Sequence, residues 1–343
     1  MNTRTVLGSV LGALALVSTA TVNASTVLSA QGGSAGGSTH VPLVAFGKAA
    51  SDAEVAEIQV TDGNTLTKTL LGIATGKVDM GIIPVAATGL LRGGKGPYKK
   101  LDEGTRGALK SKLRAVFGFD AGYYTFVTFS DSGIENFDDF KGKKVLVGPP
   151  SGAASNNSIA MIEAAAGLKA GDDYEAVKMG WGAVNQAFTD RKVDVLMRPG
   201  PWPSAPLMQL QAAGEVRVLG LPASVISGPV SKRTGFGGYE VAVSDMGEGN
   251  FVFSGEGTGD GNVNLIAYKM MLTVNESMDE ELVYGMTKAF FDRYDDAMKS
   301  AAWMPGLNIK RVITGLEEVE MKLHPGAIRY YQEAGFSLPD SVM

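Results

Sequence analysis

Residues 132–168 read "SGIENFDDFKGKKVLVGPPSGAASNNSIAMIEAAAGL", and this stretch decides the fold. It runs turn, short helix, a strand at Lys144–Gly148, a turn of small residues, then a helix reaching about Ala166. The same order has already occurred once upstream. There Thr26–Ala30 is a short apolar strand, "QGGSAGGSTHVPLVAFGKAA" at residues 31–50 opens with a Gly-rich turn, and a helix follows from about Val41 to Ala53. A pattern that restarts near residue 131 means two α/β units, each with a small-residue turn between a strand and a helix.

Within the first unit Ala56–Val60 and Val78–Ile83 read as strands. Thr65–Thr75 is a helix between them, because Leu66, Leu70, Leu71 and Ile73 recur at helical spacing. Gly93–Lys110 is Gly-rich and basic and reads as an exposed loop; Leu113–Phe119 and Tyr123–Ser130 read as two strands. Val193–Met197 is a further strand, followed by the rigid loop Arg198-Pro199-Gly200-Pro201-Trp202-Pro203. Met246–Asn264 is glycine-rich and reads as an exposed connection, and Val263–Met271 as a strand. Helices are expected at Met278–Ala297, Ile313–Lys322 and Ala327–Ala334.

The chain has 343 residues, 45% apolar and 20% charged, enough to bury a large core and too apolar for disorder. Its net charge of −5 comes without a basic run, which argues against a nucleic-acid partner. Without cysteine there are no disulfides, thiolate metal sites or cysteine nucleophiles. Only His40 and His324 supply imidazole, and no metal or other cofactor is expected. The N-terminus has one positive charge at Arg4, an apolar run Val6–Val17 and small residues at Val22-Asn23-Ala24. That is the three-part pattern of a secretory signal peptide cleaved after Ala24. The run is shorter than the roughly 20 residues a membrane span requires. Export to a bacterial periplasm follows as the expected localisation.

The Gly-rich turn at 31–40 admits several chemistries. Gly32 and Gly37 have Walker A spacing, but Ser38-Thr39 follow without the lysine that would neutralise phosphate charge, and no Gly-x-Gly-x-x-Gly exists there. Gly32-Gly33-Ser34-Ala35-Gly36 does satisfy Gly-x-Ser-x-Gly, so an exported serine hydrolase with Ser34 as nucleophile and His324 as base is one alternative. Against it, an elbow after the first strand leaves nothing upstream to donate an oxyanion-hole amide. A third use needs no catalysis. Free N–H groups at a helix start, with the hydroxyls of Ser34, Ser38 and Thr39 beside them, can seat an anion. The second unit repeats the device in "VGPPSGAASNNS", residues 147–158. Ligands in open α/β sheets sit outside the carboxyl ends of the strands. Two such units face to face make a cleft with an anion seat on each wall.

From about residue 26 to 337 the chain resembles the TAXI class of solute-binding proteins, the extracytoplasmic subunits of tripartite ATP-independent periplasmic (TRAP) transporters. The resemblance is carried by the opening turn, "GNTLTKTLLGIATGKVDMGIIP" at 63–84, "DSGIENFDDFKGKKVLVGPPSG" at 131–152 and "LHPGAIRYYQEAG" at 323–335. It implies a two-lobed periplasmic-binding-protein fold of the type II kind, α/β throughout, with two crossing strands and a ligand cleft between lobes. The implied lobes are 25–130 plus 262–343 and 131–261. It also implies a small organic anion as ligand, a carboxylate such as glutamate or 2-oxoglutarate, and delivery by a monomer to membrane permease subunits. A periplasmic ligand sensor is the other use of such a chain.

Carried over by position, the resemblance makes Ser34, Ser38 and Thr39, the second-loop Asn64 and Thr65, and Ser151 ligand contacts. His40 stands where the class usually has a tyrosine before the proline. Gly152 and Ala153 follow Ser151 where the class has Gly-Thr, so one hydroxyl is lost. Arg198, at a strand end, suits a bidentate grip on a carboxylate or an interlobe salt bridge equally well. Trp181 and Trp202 can stack on a ligand or belong to the core. Tyr124, on a crossing strand, can offer its hydroxyl to the cleft or pack. His324 reads as structural.

Overall fold

The computed structural model describes residues 26–150, 153–202, 204–246, 249–295 and 311–343. The signal peptide read at 1–24 lies outside the described residues, as do Ser151 and Gly152 and the end of the helix expected at Met278–Ala297. No helix among the described residues is long and apolar enough to cross a membrane.

The described strands form a twelve-stranded sheet. In the first unit β1 (Thr26–Gln31) pairs in parallel with β2 (Ala56–Thr61) on one side and β3 (Met80–Pro84) on the other. Helices α1 (Val41–Asp52), α2 (Leu66–Ala74) and α3 (Val85–Arg92) connect or follow them. Met80–Ile83 is buried throughout, as expected of a parallel strand covered on both faces. Leu43, Phe46 and Ala50 of α1 and Leu70 and Ile73 of α2 turn into the same core.

Two long strands then tie everything together. β4 (Leu113–Phe129) has 17 residues, a span of about 55 Å at strand rise. It runs antiparallel to β12 (Asn262–Asn275). Met270–Val274 of β12 also pair with β3 of the first unit, whereas Tyr123–Thr128 of β4 pair with β7 (Val195–Gly200) of the second. In that second unit β5 (Lys144–Gly148) lies between β6 (Glu175–Lys178) and β7, all parallel. Helices α5 (Ala154–Ala166) and α6 (Trp181–Thr189) accompany them. β8 (Val216–Leu219) pairs with β4 and with β10 (Phe251–Ser254), while β9 (Phe236–Ala242) and β11 (Thr258–Gly259) line β12. Two α/β lobes joined by crossing strands are the arrangement expected from the sequence.

At the crossing both long strands break register. Tyr268 pairs with Gly122 and Lys269 with Asp120, so Ala121 is an extra, bulged residue. Gly122 has φ 137°, and a Cβ there would lie 2.2 Å from the carbonyl oxygen of Gly200. Only glycine fits.

Several elements differ from the sequence reading. The loop expected at Gly93–Lys110 holds α4 (Glu103–Ser111), started by Asp102, whose carboxylate accepts from Thr105 N at 2.9 Å. The two strands expected at 113–130 are the single β4. The connection expected at Met246–Asn264 contains β10 and β11. Ile313–Lys322 is not an α-helix: only Glu317–Val319 makes a 3-10 turn. The open edge of β4 takes carbonyls at and beside the ends of that segment instead, with Gly118 N donating to Val312 O (2.6 Å) and Ala115 N to Lys322 O (2.9 Å).

The C-terminal helix α10 (Pro325–Glu333), preceded by the short α7 (Ala205–Met208) and α8 (Ala223–Ile226) and by α9 (Glu280–Asp292), packs against α9. Its first residue is Pro325, and His324 caps it: Nδ1 accepts from Gly326 N at 3.2 Å, and Nε2 donates to Met278 O at 3.0 Å. Burial holds this imidazole below its ordinary pKa, so the fold favours the neutral ring. The unfolded chain then binds more protons below about pH 6.5, and stability is present above that value and lost as pH falls. The His324→Asn variant, which keeps a capping side chain, is expected to show a flatter stability profile between pH 7 and pH 5 in urea melts. Parallel profiles would remove His324 as the cause.

Candidate functional site

The first turn is closed by backbone contact. Gly32 N donates to Thr61 O (2.9 Å), Gly63 N to Gly33 O (2.6 Å) and Asn64 N to Gly32 O (3.2 Å), locking the 31–40 turn to the 61–65 loop. Gly33 N donates to Thr39 Oγ1 at 2.8 Å. A Cβ on Gly33 would approach that oxygen to 2.7 Å, so this position needs glycine for close approach, whereas Gly36 in the same turn needs it for its φ of 69°. Ser34, Ser38, Thr39, Asn64 and Thr65 are thereby gathered on one wall of a cavity of about 860 Å³. The second unit supplies Ala153, Ala154 and Asn157 from the start of α5, and Gly180 and Trp181 from the start of α6. Tyr124 of β4, Arg198 of β7 and Tyr268 of β12 lie between.

Helix starts separate this cavity from the rest of the surface. Among the described residues, α1, α2, α3, α5 and α6 begin on it, through Ser38 and Thr39, Thr65, Pro84, Ala153 and Gly180. None of these five has a side-chain cap. The three other helices of eight or more residues among the described ones, α4, α9 and α10, start elsewhere, and each is capped, by Asp102, Asp279 and His324. Uncapped starts leave N–H groups and the positive end of the helix dipole toward the cavity, except that in α1 Val41 N already donates to Gly37 O and Pro42 has no N–H to give.

Arg198 is the electrostatic centre. It is 8% exposed, Nη1 has no hydrogen-bond partner, and the guanidinium makes no ion pair among the described residues. Burial pulls its pKa down from the ordinary value, with the neighbouring Tyr268 opposing weakly, yet a guanidinium stays charged at any accessible pH. A buried, unpaired charge is costly unless something arrives to match it.

The two crossing strands each add a tyrosine. Tyr268 OH and Ser38 Oγ are 2.8 Å apart, tying β12 to the first turn. Asn157 Nδ2 donates to Tyr124 OH at 3.2 Å, tying α5 to β4. The rings meet edge to face, centroids 5.5 Å apart. Burial pushes the Tyr124 phenol up to about 12, the Asn157 bond partly offsetting it, and raises Tyr268 further. Both stay protonated and can donate.

Of the residues expected at the ligand, Ser34, Ser38, Thr39, Asn64, Thr65, Tyr124, Ala153, Trp181 and Arg198 line this one cavity. Two do not. Trp202 is buried in the second lobe, Nε1 donating to Thr125 Oγ1 at 3.2 Å and its ring edge to face with Phe251, which makes it a core residue. His40 turns back on its own loop, Nδ1 accepting from Gly36 N at 3.4 Å. Asn64 spends its amide on Thr61 and Asp62 of its own loop. Asn157, Phe236 and Tyr268 line the cavity and were not expected. The hydrolase alternative loses its base, because both nitrogens of His324 are engaged with backbone.

Two lobes, two crossing strands and a donor-lined cleft define the periplasmic-binding-protein class of fold. The chain belongs to the NMT1-like family, whose sequence profile matches residues 32–335. Solved structures similar to it include a Bordetella pertussis extracytoplasmic solute receptor binding pyroglutamic acid, with 13% identity over 92% of this chain and 97% of that one, TM-score 0.46. A TRAP periplasmic solute-binding protein from Shewanella oneidensis with bound succinate has 11% identity over 90% and 92%, TM-score 0.47. The periplasmic aliphatic sulphonate-binding protein of Escherichia coli has 12% identity over 90% and 87%, TM-score 0.42.

Proposed function

We propose that this protein captures a small organic anion in the cleft and delivers it to the membrane permease of a TRAP transporter, as the TAXI resemblance implies, without chemistry of its own. The observation that carries the reading is Arg198, buried, charged and without an ion pair among the described residues, on the cavity wall. The carboxylate would take the guanidinium as a fork. The uncapped helix starts and the hydroxyls of Ser34, Thr65 and Tyr124 would hold the remaining acceptors. A solute touching both walls gains contacts in a closed state that an open state lacks, so binding shifts the population toward closure. The moving bodies would be the lobes 25–130 plus 262–343 and 131–261, in a protein exported to the periplasm after cleavage at Ala24. The dicarboxylates and acidic amino acids of the TAXI class are the first solutes to try.

A thermal-shift screen over organic acids tests this. At about 100 times Kd a true ligand adds roughly 2.7 kcal/mol to stability, a shift of several degrees. A screen in which no organic anion moves the melting curve would sink the reading.

A further inference from the structure

We infer that the solute carries no ammonium group: the cleft accepts oxo, hydroxy or unsubstituted acids and rejects the matching amino acids. This rests on the anion-binding reading and narrows it.

An ammonium is a compact, strongly hydrated charge, and taking it from water requires a carboxylate or a full set of acceptors. The only carboxylate on the cavity wall among the described residues is Asp62, and it is exposed. Glu318 stands close by but is used up. One oxygen pairs with Lys269 Nζ and the other accepts from Gly235 N at 2.7 Å. That pair also removes Lys269 as a second free cation.

The rest of the wall presents positive charge. Arg198 has no counter-charge among the described residues, and five helices without a side-chain cap begin on the same cavity. The ammonium of an α-amino acid sits one carbon from its carboxylate. With that carboxylate on Arg198, the ammonium is held beside a like charge at low dielectric. An oxo or hydroxyl oxygen at the same carbon meets the opposite situation. The hydroxyls of Ser34 and Thr65 make no hydrogen bond among the described residues, and Tyr124 OH, which accepts from Asn157, keeps its proton to give. The site is rich in donors and poor in anionic acceptors.

The test uses pairs matched in shape: 2-oxoglutarate with glutamate, succinate with aspartate, phenylpyruvate with phenylalanine, and ethanesulfonate with taurine. Titration calorimetry on the exported full chain reads each Kd. Like-charge juxtaposition costs several kcal/mol, so in any pair that binds, the amino member is expected to be about a hundredfold weaker. A ratio under tenfold, or binding by an amino member alone, overturns this inference and leaves anion capture standing. Silence from every member of every pair sinks the anion-binding reading and this one with it.

Discussion

Replacing Arg198 with alanine is expected to weaken solute binding by about 1.5–3 kcal/mol, roughly 10- to 150-fold, the worth of a charge-assisted hydrogen bond. Arg198→Lys should rescue little, because one ammonium cannot reproduce the planar fork. The solute-free protein should respond in the opposite sense. The guanidinium is buried without an ion pair among the described residues, and exchanging buried charge for an apolar side chain of similar size often stabilises by about 1–4 kcal/mol. Arg198→Met is therefore expected to raise the urea midpoint of the empty protein while abolishing the thermal shift on adding solute. The opposite pattern, intact affinity with a lower midpoint, would make Arg198 a structural cation. The anion would then rest on hydroxyls and helix starts alone.

The largest structural effect is expected at the crossing of the long strands. Gly122→Ala places a methyl 2.2 Å from Gly200 O at φ 137°. Holding a side chain in that region of backbone space costs about 1–3 kcal/mol, and forced overpacking adds about 1–3 kcal/mol. A loss of about 2–6 kcal/mol is the expected total, read from urea midpoints. Gly107→Ala in α4 is the control: nothing lies within 4 Å of its added Cβ, and alanine in a helix should gain up to about 1 kcal/mol. Equal midpoints for Gly122→Ala and wild type would mean that the bulge relaxes freely and does not fix how the strands cross.

Much of the fold was legible because each unit repeats strand, small-residue turn and helix, and that order survives without knowledge of tertiary contacts. What failed has local causes. In α4, Gly104 and Gly107 hide a helix whose start rests on Asp102 and Thr105. In 313–322 helical spacing of apolar residues was real, but the bare edge of β4 outbid it. Most of the cavity residues that were found sit in Gly/Ser-rich turns or near a strand end, where a polar side chain has no core role to play; Tyr124, inside β4, is the exception. Tyr268 and Asn157 were missed because the first lies within a mostly apolar strand and the second a turn inside α5, beyond the small-residue turn itself. Their polar tips meet the cavity only once β12 and α5 are in place. Trp202 and Trp181 read alike in sequence, and only the packing of Phe251 and Thr125 around one of them separates them.

The uncapped helix starts bear on how this protein would respond to selection in the laboratory. A serine, threonine, aspartate or asparagine cap is worth about 0.5–2 kcal/mol; four of the five starts around one cavity lack such a residue, and at the fifth Thr65 makes no capping bond. A library screened only for heat resistance will find its easiest gains there, because every new cap satisfies amides that otherwise wait for a solute. Those variants would melt later and carry less. If the proposed function holds, engineering a hardy version of this protein therefore calls for counter-selection on solute binding from the first round, with stabilising changes confined to helices such as α4, α9 and α10, whose caps do not line the cavity.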